Sequence, residues 1–213
     1  MAHVLIVGAS EGIGFEAVKR ALACGHSVRA LARSANSIEL NDPKLEKRTG
    51  DALNRQDVAS ALDGVDTVIQ ALGVAAGPGF IIVPVQLFSE STRILVPEMQ
   101  QAGARRLISV TGFGAGDSRA SIGCLQIVPF RLFLGRAYDD KDTQEHLIRE
   151  SHLEWVIVRP VILTNGKRTG RYQVLDDPKS WRNGLISRAD VADFLIRQID
   201  DDTYLGKTPV LAY

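Results

Sequence analysis

The sequence predicts one doubly wound α/β domain, a mostly parallel sheet of about seven strands with helices on both faces. Three observations carry that prediction. Short apolar runs alternate with amphipathic stretches along the whole chain, the rhythm of a sheet packed against helices. The runs VLIV, TVIQAL and WVIV are apolar at nearly every position, as strands covered on both faces must be. Finally, 213 residues with no linker, repeat or low-complexity tract fit a single domain spanning 1–213, long enough to bury roughly 70% of the surface its unfolded chain would expose.

Taken in order, the pattern places strands at about 3–7, 27–32, 44–49, 66–71, 105–110, 154–159 and 208–212, and helices near 12–24, 55–62, 86–102, 137–151 and 188–200. Right-handed crossovers between parallel strands wind such a chain both ways from its first strand. Local chemistry supports the helix ends: Gly25 and Gly103 stand where C-terminal glycines belong, and Ser187 with Asp190 reads as a capping box. The exception is about 112–136, which reads as irregular although it carries the apolar string CLQIVPFRLFL. Loops of that length in compact domains are usually functional, so it is read as a substrate lid, with a packed helix or a subunit contact as the plain alternative.

Composition excludes several classes of partner. Twenty-five basic residues balance 25 acidic ones without a long basic run, so neither nucleic acid nor an anionic membrane is expected as a partner. The first apolar segment is too short for a signal peptide, and no run reaches the ~20 residues that cross a bilayer. A cytoplasmic location is expected. Cys24 and Cys124 match no metal or redox spacing, and both read as inert, buried thiols. No metal site is expected; the partner should be a small molecule, and the chain a monomer or small homo-oligomer.

The run VGASEGIG lies directly between the first strand and the first helix. There Gly8 allows a tight turn, Gly12 lets backbone approach a pyrophosphate, and Gly14 permits close packing of helix on strand. Ser10, Glu11 and Ile13 share the turn, whose helical N–H groups and dipole suit phosphate. The run reads as the dinucleotide site of a Rossmann-type fold, the plain alternative being a turn in a fold that has lost its ligand. A fold that takes NAD usually ends its second strand with an acid for the ribose 2′-hydroxyl. Here SVRALA is followed by Arg33 and Ser34, and the first carboxylate is delayed to Glu39. The guanidinium of Arg33 suits a 2′-phosphate, so NADP is the expected cofactor. Asp51 and Ala52 follow the third strand where a carboxylate and an amide could meet an adenine edge, although a solvated turn explains the aspartate nearly as well. Ala71, Leu72 and Gly73 end the fourth strand, where small residues admit a ligand or simply pack.

Beyond the glycine turn, the chain carries ALAR after the second strand, GDA after the third, ALG after the fourth, SVTGFGAGDS after the fifth, a Tyr-x-x-Lys-x-x-x-Glu helix before WVIVRP, and ISRADVADF near its end. These residues resemble the atypical short-chain dehydrogenase/reductase superfamily, specifically the NmrA-like NAD(P)-binding group that includes the small flavin and biliverdin reductases. The resemblance covers nearly the whole chain. It implies an NAD(P)H-dependent oxidoreductase that acts on a small organic acceptor such as a quinone, flavin, tetrapyrrole or carbonyl compound, and Arg33 makes NADP the preferred cofactor. It also implies that Val161 and Ile162, after the sixth strand, lie beside the nicotinamide.

Two departures bear on catalysis. The wider superfamily sets its tyrosine and lysine four apart, whereas Tyr138 and Lys141 are three apart and Asp142 holds the fourth position. The resembling flavin reductases place a serine after the fifth strand, where this chain has Gly112 preceded by Thr111. Thr111, Tyr138 and Lys141 are the catalytic candidates. Tyr138, Lys141, Glu145 and Ile148 share one helical face, on which a lysine could reach ribose hydroxyls, the plain alternative being a surface Glu–Lys pair. The departures leave a second function open, a redox sensor that holds NADP without turnover.

Overall fold

The computed structural model describes residues 1–73, 86–121 and 124–213, and over 124–136 only the course of the helix. Its main sheet uses β1 (His3–Val7), β2 (Ser27–Ala32), β3 (Leu45–Thr49), β4 (Thr67–Gln70), β5 (Arg106–Val110), β6 (Glu154–Pro160), β8 (Gln173–Leu175) and β10 (Val210–Ala212). The order is β3-β2-β1-β4-β5-β6-β10-β8, parallel throughout except that β8 runs antiparallel to β10. The short strands β7 (Ile162–Thr164) and β9 (Leu185–Ser187) form a separate parallel pair. The chain therefore reverses its winding between β1 and β4, which opens a crevice at the C-terminal ends of those strands, where ligands of such sheets bind.

Alternating side chains of each strand feed opposite cores. Val4, Ile6, Val28, Ala30, Ile108, Val156 and Val158 pack on one face with residues of α1 (Gly12–Ala23) and α5 (Arg188–Arg197). Leu5, Val7, Leu31, Val68, Leu107 and Ile157 pack on the other with residues of α2 (Arg55–Ala61), α3 (Leu87–Ala102) and α4 (Cys124–Arg149). Each fully buried aliphatic side chain contributes about 1.5–3 kcal/mol. The glycine ends of α1 and α3 are as expected: the N–H of His26 reaches the Ala21 carbonyl and that of Ala104 the Met99 carbonyl, each just past a glycine at positive φ.

The seven expected strands and five expected helices are all present, and three corrections are needed. The region read as irregular holds a 3₁₀ turn over Gly116–Ser121 and, from Cys124, α4, which starts 13 residues earlier than its period indicates. Apolar residues at almost every position hide the 3.6-residue period there, and Pro129 reads as a breaker. The side chains on which a substrate lid would depend lie outside the described residues. The three short strands β7, β8 and β9 are too brief for alternation to declare itself. Cys24 is exposed rather than buried, since it caps α1 on the outer surface; the Cys124 side chain lies outside the described residues.

Candidate functional site

One cavity of about 830 Å³ follows the crevice from the glycine turn to α4 and the start of α5. The turn is shaped by contacts that no side chain would permit. A β-carbon on Gly8, which sits at φ +85°, would lie 2.8 Å from the Ala71 carbonyl oxygen, and one on Gly14 would lie 2.1 Å from the Gly8 carbonyl oxygen. Gly8 thus brings β1 against the end of β4, and Gly14 brings α1 down onto the turn. Gly12 differs: at φ +60° it has nothing within 4 Å of the same position and opens onto the cavity. The Glu11 side chain does not cap α1, so the first helical N–H groups remain available to an anion. This cradle fits a pyrophosphate.

Along the same rim, Ser10, Glu11, Ile13, Arg33, Ser34, Asp51, Ala52, Ala71, Leu72 and Gly73 all line the cavity. Arg33 and Ser34 are exposed, and the Arg33 guanidinium has no protein partner among the described residues. Asp51 is partly engaged locally, its Oδ1 accepting from the Leu53 N–H at 3.0 Å while its own N–H donates to Asp57 at 2.8 Å. The adenine-facing and turn readings of Asp51 are therefore compatible.

The opposite wall belongs to α4. Tyr138 and Lys141 both line the cavity, Ile148 is fully buried in the sheet core, and Glu145 is 2% exposed. The single helical face read from the spacing exists, but the surface-pair alternative does not hold. Instead, Glu145 accepts from Arg159 through both oxygens at 2.9 and 2.6 Å and from the Thr111 hydroxyl at 2.8 Å. Lys141 Nζ donates to the Thr111 carbonyl at 2.7 Å and lies 4.1 Å from the centre of the Phe88 ring. Burial pushes the Lys141 ammonium down to about 8 against the opposing pull of Glu145 and Asp140, and burial pushes the Tyr138 phenol up to about 12. At neutral pH the Tyr138 phenol keeps its proton, and Lys141 stands close to its titration point.

The two departures from the superfamily pattern have a common geometry. A β-carbon on Gly112 would lie 2.7 Å from Tyr138 Oη, so this tyrosine occupies the space beside residue 112 that a serine there would need. Asp142, at the position four after the tyrosine, faces away: it accepts from the Gly116 N–H at 2.6 Å and from Arg119 at 2.7 Å, fastening the 116–121 turn to α4. Next to Lys141, Asp140 accepts from the N–H groups of Phe88 and Ser89 at 2.8 and 3.3 Å and so caps α3 from a neighbouring helix.

Sequence reasoning misplaced the segment after β6. Val161 is buried in the core, its N–H bonded to the Leu211 carbonyl, and Ile162 is 57% exposed on β7. Neither lines the cavity; Pro160 and Leu163 do. The chain leaves β6 for β7 within two residues, and the expected pair falls on either side of the bend. Gly14 also lies outside the lining, consistent with its packing role. Phe88 and Arg188 are lining residues that the sequence reading missed. A cation directly after the Ser187 cap was the available clue to Arg188. Among the described residues there is no cluster of potential metal ligands, and no helix is long and apolar enough to cross a membrane.

Comparison with known proteins agrees with this geometry. The family model described as NAD(P)H-binding matches residues 8–202. The chain is 26% identical over 201 residues to the protein YwnB of Bacillus subtilis (strain 168), covering 92% of this chain and 90% of that one. Among solved structures, the anaerobillin reductase ChuY from Escherichia coli O157:H7 superposes with a TM-score of 0.81 at 25% identity, covering 100% of this chain and 97% of the other. A short-chain dehydrogenase/reductase from Veillonella parvula DSM 2008, in complex with NADP, reaches a TM-score of 0.81 at 15% identity over 100% of this chain and 94% of its own, a likeness of fold alone.

Proposed function

The chain belongs to the NAD(P)H-binding family, and on that premise we propose that it is an NADP-preferring reductase of a small organic acceptor in which Tyr138 supplies the proton. The observation that carries this reading is the joint presence, in one cavity, of the glycine cradle, a phenol held protonated by burial and a desolvated lysine. When bound, the dinucleotide supplies a hydride. The protein must then deliver one proton to the acceptor atom that gains charge, and the Tyr138 hydroxyl, seated against Gly112, is the donor. Lys141 in its ammonium form stabilises the negative charge left on the phenol or the acceptor, and solvent at the cavity mouth returns the proton. Thr111 is a positioning residue, since its hydroxyl proton is committed to Glu145 and its carbonyl orients the ammonium.

Preference for NADP rests on Arg33. A 2′-phosphate would meet an unpaired guanidinium with Ser34 and Ser10 nearby, whereas a bare 2′-hydroxyl would find no carboxylate at the end of β2. An NADPH-oxidation screen against quinones, flavins, tetrapyrroles and small carbonyl compounds tests the reading. Turnover of at least one class well above the rate without protein is the expected result. Tight NADPH binding with no turnover would make the chain a redox sensor instead.

A further inference from the structure

Two arginines line the cavity, Arg33 at its β2 end and Arg188 at the start of α5, and neither has a carboxylate within ion-pair distance among the described residues. Several arginines outside the cavity are closely paired: Arg159 meets Glu145 and Asp117, Arg119 meets Asp139 and Asp142, and Arg20, Arg168 and Arg197 share Asp193. Among the described residues the half-buried Arg188 makes one hydrogen bond, from Nη1 to the Asn165 side-chain oxygen at 2.6 Å. A neutral amide fixes the direction of the guanidinium without cancelling its charge, and it leaves Nε and Nη2 free as a fork of donors.

The acidic lining residues, Glu11 and Asp51, belong to the glycine turn and the end of β3. At the other end the charged lining groups among the described residues are Lys141 and Arg188, beside apolar Phe88, Pro160 and Leu163. Lys141 is already held by the Thr111 carbonyl and the Phe88 ring, so among the described residues at this end Arg188 is the cation held only by a neutral side-chain amide.

Resting on the reductase reading above, we propose that the acceptor is an organic carboxylate with an apolar body, and that Arg188 selects it by binding that carboxylate. The carboxylate is a handle and does not react. Hydride adds to the electrophilic carbon, Tyr138 protonates the atom bonded to it, NADPH becomes NADP⁺, and the acid group leaves unchanged. Asn165 is a positioning residue in this scheme.

The test uses the NADP⁺ complex, which cannot reduce an acceptor, so that affinity is read apart from turnover. The probes are two matched pairs, anthraquinone-2-carboxylate and 4-formylbenzoate, each against its uncharged methyl ester. In the wild type, calorimetry should find at least one of the carboxylates bound about ten- to a hundredfold more tightly than its ester, as one charge-assisted pair provides. Arg188→Gln should erase that ratio, Arg188→Lys should keep part of it, and NADP⁺ affinity should stay the same in both. Raising salt from about 0.05 to 0.5 M should shrink the wild-type ratio through screening, a reading that needs no variant to fold. Equal binding of acid and ester in both pairs, a ratio that survives Arg188→Gln, or a ratio indifferent to salt overturns the proposal. Loss of NADP⁺ affinity in Arg188→Gln also overturns it, by assigning the residue to the cofactor. The reductase reading fails separately, if the NADPH complex reduces no acceptor while the dead-end complex still discriminates as expected.

Discussion

The cofactor end of the cavity and the α4 end are built from different materials. At the cofactor end the shape comes from main chain within seven residues, Gly8 to Gly14, where missing side chains let β1, β4 and α1 close on one another. At the α4 end it comes from side chains far apart in the chain: Lys141 on the carbonyl of Thr111, 30 positions away, and Thr111 on Glu145, 34 positions away. The α4 end combines chemistry with structural support, because the carboxylate that holds Thr111 also neutralises the fully buried Arg159.

Four substitutions probe that contrast. The largest effect is expected from Glu145→Ala, which leaves the buried Arg159 with Asp117 as its remaining ion-pair partner; removing one partner of a buried ion pair costs about 3–5 kcal/mol. Denaturant unfolding should show the loss together with reduced turnover, and unchanged stability would break the link between support and chemistry. Tyr138→Phe should lower kcat by about 10²–10⁴-fold with little change in NADPH affinity. The wild-type rate should also fall above about pH 8, because Lys141 titrates near 8 and loses its charge as pH rises through that value. A flat profile to pH 10 would remove the ammonium from the reaction.

Gly12→Val places a branched side chain in the open space before the helical N–H groups. It should weaken NADPH binding by roughly a hundredfold while costing about 1–3 kcal/mol of stability for its positive φ. If the melting temperature collapses as is expected for Glu145→Ala, the two ends are not built differently after all. The smallest effect is expected from Arg33→Ala, which should weaken NADPH by about one to two decades and leave NADH unchanged. Titrating both cofactors against both proteins checks it, and an unaltered ratio removes Arg33 from the 2′-phosphate.

The same division decides how much of the molecule could be read in advance. Strand order follows from apolar runs and right-handed crossovers, so the sheet and the glycine turn were legible from local pattern. Tyr138 and Lys141 were legible as a helical face, because spacing alone puts them together. What the face touches was not: the partnership of Glu145 with Arg159 and the room that Gly112 leaves for the Tyr138 hydroxyl depend on packing between β5, β6 and α4. Val161 and Ile162 were misplaced for a related reason, a two-residue bend that one strand period cannot signal. The first half of α4 was missed because a helix apolar on every side carries no period.

One contact at the α4 end has a dynamic consequence. The carboxylate of Asp140 holds the first amides of α3 from the helix that carries Tyr138 and Lys141, and the Phe88 ring lies against the Lys141 ammonium. The opening of α3 is therefore not an independent fraying event, because it requires α4 to release a buried ionic acceptor at the same time. Amide hydrogen exchange at Phe88 and Ser89 then becomes a clock for the breathing of the whole α3–α4 wall, with protection near that of the sheet rather than that of a helix end.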